Sequence, residues 1–214
     1  MTQIEGQADL FGVAYPDGLV ILAGFAGDVA GELLAAIADI ARQAPFRHMQ
    51  TPGGHAMSAA MTNGGLGWTT DRRGYRYAPV DPLSGKAWPA LPQSFHDLAG
   101  RAARAAGFAD FTPDGCLINR YAVGARMGLH QDLDEGDMAA PIVSVSLGLP
   151  ATFQFGGRKR SDPVMKIALQ HGDVAVWGGP ARLAYHGVLP VKAGLHPLAG
   201  DVRYNMTLRR VRVS

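Results

Sequence analysis

Two residues at short spacing, and a third far downstream, are of the types that bind a transition metal. The segment Leu129-His130-Gln131-Asp132 carries an H-x-D pair. On a strand, positions i and i+2 point to the same face, so His130 and Asp132 could share one ion; on a helix they would diverge. His186, in Tyr185-His186-Gly187 on a later expected strand, would complete the set. Two imidazoles and one carboxylate cover one face of a metal and leave three positions open, the ligand set of non-haem Fe(II) oxygenases. An H-x-D pair alone is more often a solvated loop histidine beside a carboxylate. A closed zinc site is disfavoured because Cys116 is the single cysteine. His48, His55, His96, His171 and His196 lack such a neighbour and read as surface or core residues.

The second chemical feature is the run Arg203-Tyr204-Asn205-Met206-Thr207-Leu208-Arg209. Strand alternation puts Arg203, Asn205, Thr207 and Arg209 on one face and Tyr204, Met206 and Leu208 on the other. If the apolar face packs against helices, two arginines enter a barrel, where an unpaired charge is very costly. No nearby acidic strand offers them partners, whereas a small dicarboxylate would satisfy both through charge-assisted, bidentate hydrogen bonds. Asn119 and Tyr121 share a face and could complete the polar lining. An edge strand with its arginines in water fits the pattern equally well. The upstream three-ligand site, which needs an electron-donating co-substrate, favours the buried arrangement.

These residues need a rigid frame. Leu19 to Leu22 reads as a strand, followed by a helix capped by Asp28 with Leu33, Leu34, Ile37 and Ile40 on one stripe, ended by Pro45. From Phe46 to Pro92 periodicity weakens, and glycine pairs, prolines and the aromatics Trp68, Tyr75, Tyr77 and Trp88 dominate. A long irregular segment of this kind suits a lid or binding loop. A second helix is expected after Ser94, with Asp97 completing a capping box, Phe95, Leu98 and Ala102 on one side, and Gly107 as the stop. From Asp114 the period becomes two. Leu117 to Tyr121, Ile142 to Leu149, Thr152 to Phe155, Asp173 to Trp177, Leu183 to Val188 and Arg203 to Arg209 read as strands. Two helices and then many short strands predict a mainly β chain, a jelly-roll barrel with helices packed on one side.

The 214 residues suit one domain, 1–214, and 28 glycines fit a fold with many tight turns. An apolar fraction of 47% excludes wholesale disorder. One cysteine forbids an internal disulfide and points to a reducing, cytoplasmic setting. Met1 to Phe11 has no basic start followed by an apolar run, so no secretory signal is read there, and Asp28, Glu32 and Asp39 interrupt the most apolar stretch, so no membrane span is expected. A formal net charge of +2 permits nucleic-acid binding without demanding it. Arg72-Arg73 and Arg158-Lys159-Arg160 could track phosphates, or could be solvated turns.

From about Gly18 onward the chain resembles the AlkB-type Fe(II)/2-oxoglutarate dioxygenases, and looks closest to their bacterial repair members. The resemblance rests on Met57-Ser58, Ala60 to Asn63, Gly67-Trp68-Thr69-Thr70, Asn119-Arg120-Tyr121, His130 to Glu135, Phe153 to Gly157 and Arg203 to Arg209. It implies a double-stranded β-helix core over about 114–210 and a nucleotide-recognition lid over about 46–92. It implies Fe(II) on His130, Asp132 and His186. Arg203 with Tyr121 would take the far carboxylate of 2-oxoglutarate, and Arg209 with Asn119 the near one, Asn205 lining the same face. Trp68, Tyr75, Tyr77, Asp134 and Arg160 would form the base pocket. The implied reaction uses O₂ to strip N-alkyl groups from 1-methyladenine and 3-methylcytosine, releasing formaldehyde, succinate and CO₂. The implied partner is alkylated DNA, single-stranded by preference, with RNA also open, and the implied state is a monomer. The loop Asn63 to Gly67 is one residue shorter than in the bacterial relative, and Leu133 replaces a basic residue. Two other readings remain: the same oxygenase core acting on a protein or small metabolite, and a non-catalytic jelly-roll binding module, which leaves the paired arginines unexplained.

Overall fold

A computed structural model of the chain describes residues 14–213. The reading of Met1 to Phe11 as lacking a signal, and most of the polar N-terminal stretch, lies outside the described residues. Twelve strands and two helices follow in order. They are β1 (Leu19–Leu22), α1 (Ala30–Gln43), β2 (Ala60–Gly65), β3 (Gly67–Asp71), β4 (Gly74–Ala78), α2 (Gln93–Ala105) and β5 (Gly115–Tyr121). The remainder are β6 (Met127–His130), β7 (Ile142–Gly148), β8 (Ala151–Phe155), β9 (Met165–Leu169), β10 (Val174–Trp177), β11 (His186–Val188) and β12 (Arg203–Arg209).

The strands form a six-stranded sheet ordered β1-β10-β7-β12-β5-β2, a four-stranded sheet ordered β6-β11-β8-β9, and the hairpin β3-β4. All pairings are antiparallel. This is the jelly roll expected from the sequence. Alternation splits the large sheet cleanly. Val143, Val145, Met206, Leu208 and Ile118 face out onto Leu33, Ile37 and Ile40 of α1 and Phe95 and Leu98 of α2. The opposite face looks across to the small sheet, where Phe153 and Phe155 meet Trp177. The apolar outer face is thus covered by helices, and the inner face is left for polar side chains. No helix among the described residues is long and apolar enough to cross a membrane.

Several local expectations need correction. Asp28 does not cap α1: it lies in a short 3₁₀ turn, Gly27–Val29, and the helix begins after Val29 with no side-chain cap. Ser94 is no cap either. The Pro92 carbonyl already accepts the Phe95 N–H at 3.0 Å, so the helix starts earlier, and Asp97 accepts from the Gln93 side chain instead. The stretch from 46 to 92 is not irregular throughout, because it supplies β2 to the large sheet and the β3-β4 hairpin. Of Leu183 to Val188 only His186–Val188 is strand, and β6 and β9 were not foreseen.

Gly148 ends β7 at φ +85° and pairs across the sheet with Arg203. A Cβ there would collide with the Val202 carbonyl and lie 2.8 Å from the Ala199 Cβ. Gly148→Ala should therefore cost about 1–3 kcal/mol and lower Tm by roughly 2–12 °C for a chain this size. An unchanged Tm in a calorimetric melt would show that this turn tolerates a side chain and does not hold Arg203 in register.

Candidate active site

The metal-ligating types converge. His130 ends β6 and His186 opens β11, and these strands pair with the two histidines directly opposite one another. Their rings lie 4.4 Å apart. Asp132 follows β6 in a loop rather than within the strand, so the same-face strand argument for the H-x-D pair does not hold. The loop instead turns the carboxylate back. Its Oδ1 lies 3.8 Å from His130 Nε2 and its Oδ2 3.8 Å from His186 Nε2. The three ligand atoms sit within 4.8 Å of one another.

Both imidazoles are oriented by their far nitrogens. His130 Nδ1 is 2.9 Å from the Gly128 carbonyl and His186 Nδ1 is 3.0 Å from the Ala184 carbonyl, so each Nδ1–H donates and each Nε2 is turned toward the centre. Burial, with the nearby His130, lowers the His186 pKa to about 4, so the ring is neutral and ready to ligate at pH 7. Burial alone would raise the Asp132 pKa. Arg209, then His186 and His130, outweigh it and hold the carboxyl well below its usual range. His186 and Asp132 are buried, and His130 is 39% exposed, which places the opening of the site on its side. This chemistry fits Fe(II): two imidazole nitrogens and an ionised carboxylate oxygen, the only His, Cys, Asp or Glu cluster of this kind among the described residues.

The inner face of β12 and β5 lines the same cavity with Arg203, Asn205, Thr207, Arg209, Asn119 and Tyr121. Arg203 is 1% exposed and stands across the sheet from Tyr121. Its Nη2 donates to Ser146 Oγ at 3.1 Å, but its Nε and Nη1 have no partner, and neither does Asn119 Oδ1. Burial lowers the Arg203 pKa and outweighs the opposing pull of Tyr121 and Asp173. Burial likewise pushes the Tyr121 hydroxyl up to about 12, keeping it a neutral donor. Arg209 behaves differently from expectation. It is not without an acidic partner: its Nη2 and Nε donate to Asp132 Oδ2 at 2.7 and 3.0 Å, and its Nε lies 3.2 Å from Glu135 Oε1. Asn119 pairs across the sheet with Asn205, four residues from Arg209.

Above the metal loop sits the hairpin. Trp68 on β3 stacks on Tyr75 of β4 with centroids 5.4 Å apart at 16°. Its indole Nε1–H donates to Asp134 Oδ2 at 2.8 Å, and Asn63 grips its backbone N–H and carbonyl, each at 3.0 Å. The Tyr77 hydroxyl donates to Glu135 Oε1 at 2.7 Å, and burial raises its pKa well above normal. Arg160 stands apart, donating to the Leu129 carbonyl at 2.8 Å and lying over the Tyr185 ring. Sequence reasoning missed Glu135 and Arg182, whose side chains meet at 3.1 Å in the buried interior. Only the acidic run Asp132 to Glu135 hinted at the first, and no pattern marked the second.

Comparison with known proteins agrees with this geometry. Residues 18–209 match the family described as the 2OG-Fe(II) oxygenase superfamily. The chain is 61% identical over 209 residues to the alpha-ketoglutarate-dependent dioxygenase AlkB of Escherichia coli, covering 94% of this chain and 97% of that one. It is 31% identical over 153 residues to a protein of Arabidopsis thaliana named DNA N(6)-methyladenine demethylase ALKBH1C, across 63% of this chain and 34% of that one. Among solved structures it is similar to OsALKBH1, with a TM-score of 0.83, 27% identity, and coverage of 92% and 99% of the two chains. A His-Asp-His cluster whose two histidines line one jelly-roll cavity with a buried guanidinium, and likeness over nearly the whole length, carry one conclusion: the chain belongs to the 2OG-Fe(II) oxygenase superfamily, in its AlkB-type group.

Proposed function

We propose that this enzyme removes N-alkyl groups from nucleic-acid bases, with Fe(II) on His130, Asp132 and His186 and with 2-oxoglutarate and O₂ as co-substrates. One observation carries the co-substrate assignment: Arg203, fully buried, keeps two nitrogens unpartnered in the cavity that His130 and His186 also line. A group so placed demands an anion. A dicarboxylate would give Arg203 and the Tyr121 hydroxyl one carboxylate, leaving the other to Arg209 and Asn119 near the metal. The bound iron would supply the oxidising power for cleaving the N-alkyl group, with succinate, CO₂ and formaldehyde as products. The protein binds and aligns the partners: His186 stays neutral, Asp132 stays ionised, and the apolar walls of Phe153 and Trp177 keep water away from His186.

Trp68 and Tyr75 offer flat faces to a base such as 1-methyladenine or 3-methylcytosine, and both bases are cationic. A cation over an indole gains roughly 0.5–2 kcal/mol. Asp134, already holding the Trp68 indole, would add negative charge beside the same ring. The β3-β4 hairpin would act as the lid, with Tyr77 tying it to Glu135 and Arg160 at the rim. The naming of the Arabidopsis relative as a DNA demethylase supports a nucleic-acid substrate. We read the preferred form as single-stranded DNA, where a base needs no unpairing to reach the pocket, with RNA a second acceptor, and the enzyme as a cytoplasmic monomer spanning one domain.

Three experiments test this reading. His186→Ala should lose Fe(II)-dependent turnover while far-UV circular dichroism stays native, and full turnover without added imidazole would remove His186 from the metal. Arg203→Ala should raise the KM for 2-oxoglutarate by the equivalent of about 2–5 kcal/mol, the loss expected for a buried charge-assisted pair; an unchanged KM would place the dianion elsewhere. Asp134→Asn keeps the acceptor for Trp68 but removes the charge. It should lose far more kcat/KM on 1-methyladenine than on the neutral 1-methylguanine, measured in one oligonucleotide at fixed salt. Equal losses on both lesions would leave Asp134 a support for Trp68 only.

A further inference from the structure

Arg182 lies between β10 and β11, just after a short 3₁₀ turn, and is 3% exposed. All its acceptors are internal to the protein. Nε donates to the Ala140 carbonyl at 3.1 Å, Nη1 to the Asp132 carbonyl at 3.0 Å, and Nη2 to Glu135 Oε2 at 3.1 Å. It therefore grips the loop that carries Asp132 at three points, by the carbonyls of 132 and 140 and by the side chain of 135. A second tether runs in parallel, from Gln131 Nε2 to the Leu183 carbonyl at 2.6 Å. The segment that leads into His186 and the segment that carries Asp132 are thus locked to each other by residues flanking the ligands.

Glu135 passes the constraint on. While Oε2 accepts from Arg182, Oε1 accepts from the Tyr77 hydroxyl at 2.7 Å and lies 3.2 Å from Arg209 Nε. Arg209 in turn holds Asp132 Oδ2. The order Arg182, Glu135, Arg209, Asp132 alternates in charge, so each buried ion has an opposite neighbour. A buried ion pair is weak evidence for stability but strong evidence for geometry, because removing one partner strands the other. The guanidinium fork matters here: three acceptors in three directions suit a planar, five-donor group and not an ammonium.

We infer that Arg182 is a positioning residue which, through the Asp132 backbone and the Glu135 carboxylate, sets where the Asp132 carboxylate and Arg209 stand relative to the two histidines. This rests on the proposed reading of His130, Asp132 and His186 as metal ligands. Partners of this kind, one bond away from a ligand, typically change metal affinity 10- to 100-fold when replaced.

The test uses the full chain, freed of metal and titrated with Co(II), which reports ligand geometry through its visible absorption. Arg182→Lys keeps the charge but cannot reach three acceptors, and Glu135→Gln keeps the volume but removes the carboxylate. Both should weaken Co(II) binding roughly 10- to 100-fold and change the shape of the visible spectrum, while far-UV circular dichroism of the metal-free proteins stays native. Wild-type affinity and an unchanged spectrum in a folded Arg182→Lys protein, with only a lower Tm, would overturn the inference and leave the ligand assignment standing. Absence of Co(II) binding to the wild-type chain would overturn the ligand assignment and the inference with it. If Arg182→Lys fails to fold, Glu135→Gln decides by the same two readouts. Failure of both to fold would overturn the positioning role, making the pair a folding element.

Discussion

A buried cation with donors left unpartnered is the constraint on which this cavity turns. Arg203 sits at 1% exposure with two guanidinium nitrogens unpartnered, whereas the acidic groups of the metal loop are paired with other arginines. Asp132 has Arg209, and Glu135 has both Arg209 and Arg182. A protein interior tolerates such an arrangement only where a ligand completes it. The cavity thus has positive charge at Arg203 and imidazole nitrogens at His130 and His186 as its two ends, which supports the proposed binding of a small dicarboxylate beside a metal.

The rest of the fold holds these ends at a fixed separation. β12 carries the arginines on its inner face because Met206 and Leu208 on its outer face are committed to the helices. A one-residue slip would exchange the two sets, so the helices enforce the register of the polar lining. The small sheet brings His130 and His186 opposite each other on paired strands. The loop after β6 then supplies three acidic groups to three different tasks. Asp132 faces the histidines, Asp134 fixes the Trp68 indole, and Glu135 joins Arg182, Tyr77 and Arg209.

The parts legible in the sequence are those with a period. The alternation along Arg203 to Arg209 put both arginines on one face without saying whether it was buried, and the stripes of Leu33, Ile37, Ile40 and of Phe95, Leu98 marked the covering helices. Features set by contacts between loops had no such signal. Arg182 looks like any surface arginine until its three acceptors are seen, and Arg209 appeared unpartnered because Asp132 and Glu135 reach it from a loop rather than from a strand. β2 hid because Ala60 to Asn63 is buried on both faces and carries no alternation. The helix starts were misplaced because backbone geometry, a 3₁₀ turn before α1 and the Pro92 carbonyl before α2, replaced the side-chain caps that Asp28 and Ser94 suggested.

We propose that the jelly roll holds metal and dicarboxylate side by side while the β3-β4 hairpin presents an alkylated base. The most direct measurement is mass spectrometry of a single-stranded oligonucleotide carrying one 1-methyladenine, incubated with the enzyme, Fe(II), 2-oxoglutarate and air. The account predicts loss of one methyl group, with one succinate and one formaldehyde formed per repaired base, and no change when any one of iron, 2-oxoglutarate or O₂ is withheld. Steady consumption of 2-oxoglutarate with the oligonucleotide unchanged, across cationic and neutral lesions alike, would contradict it and move the substrate out of the nucleic acids.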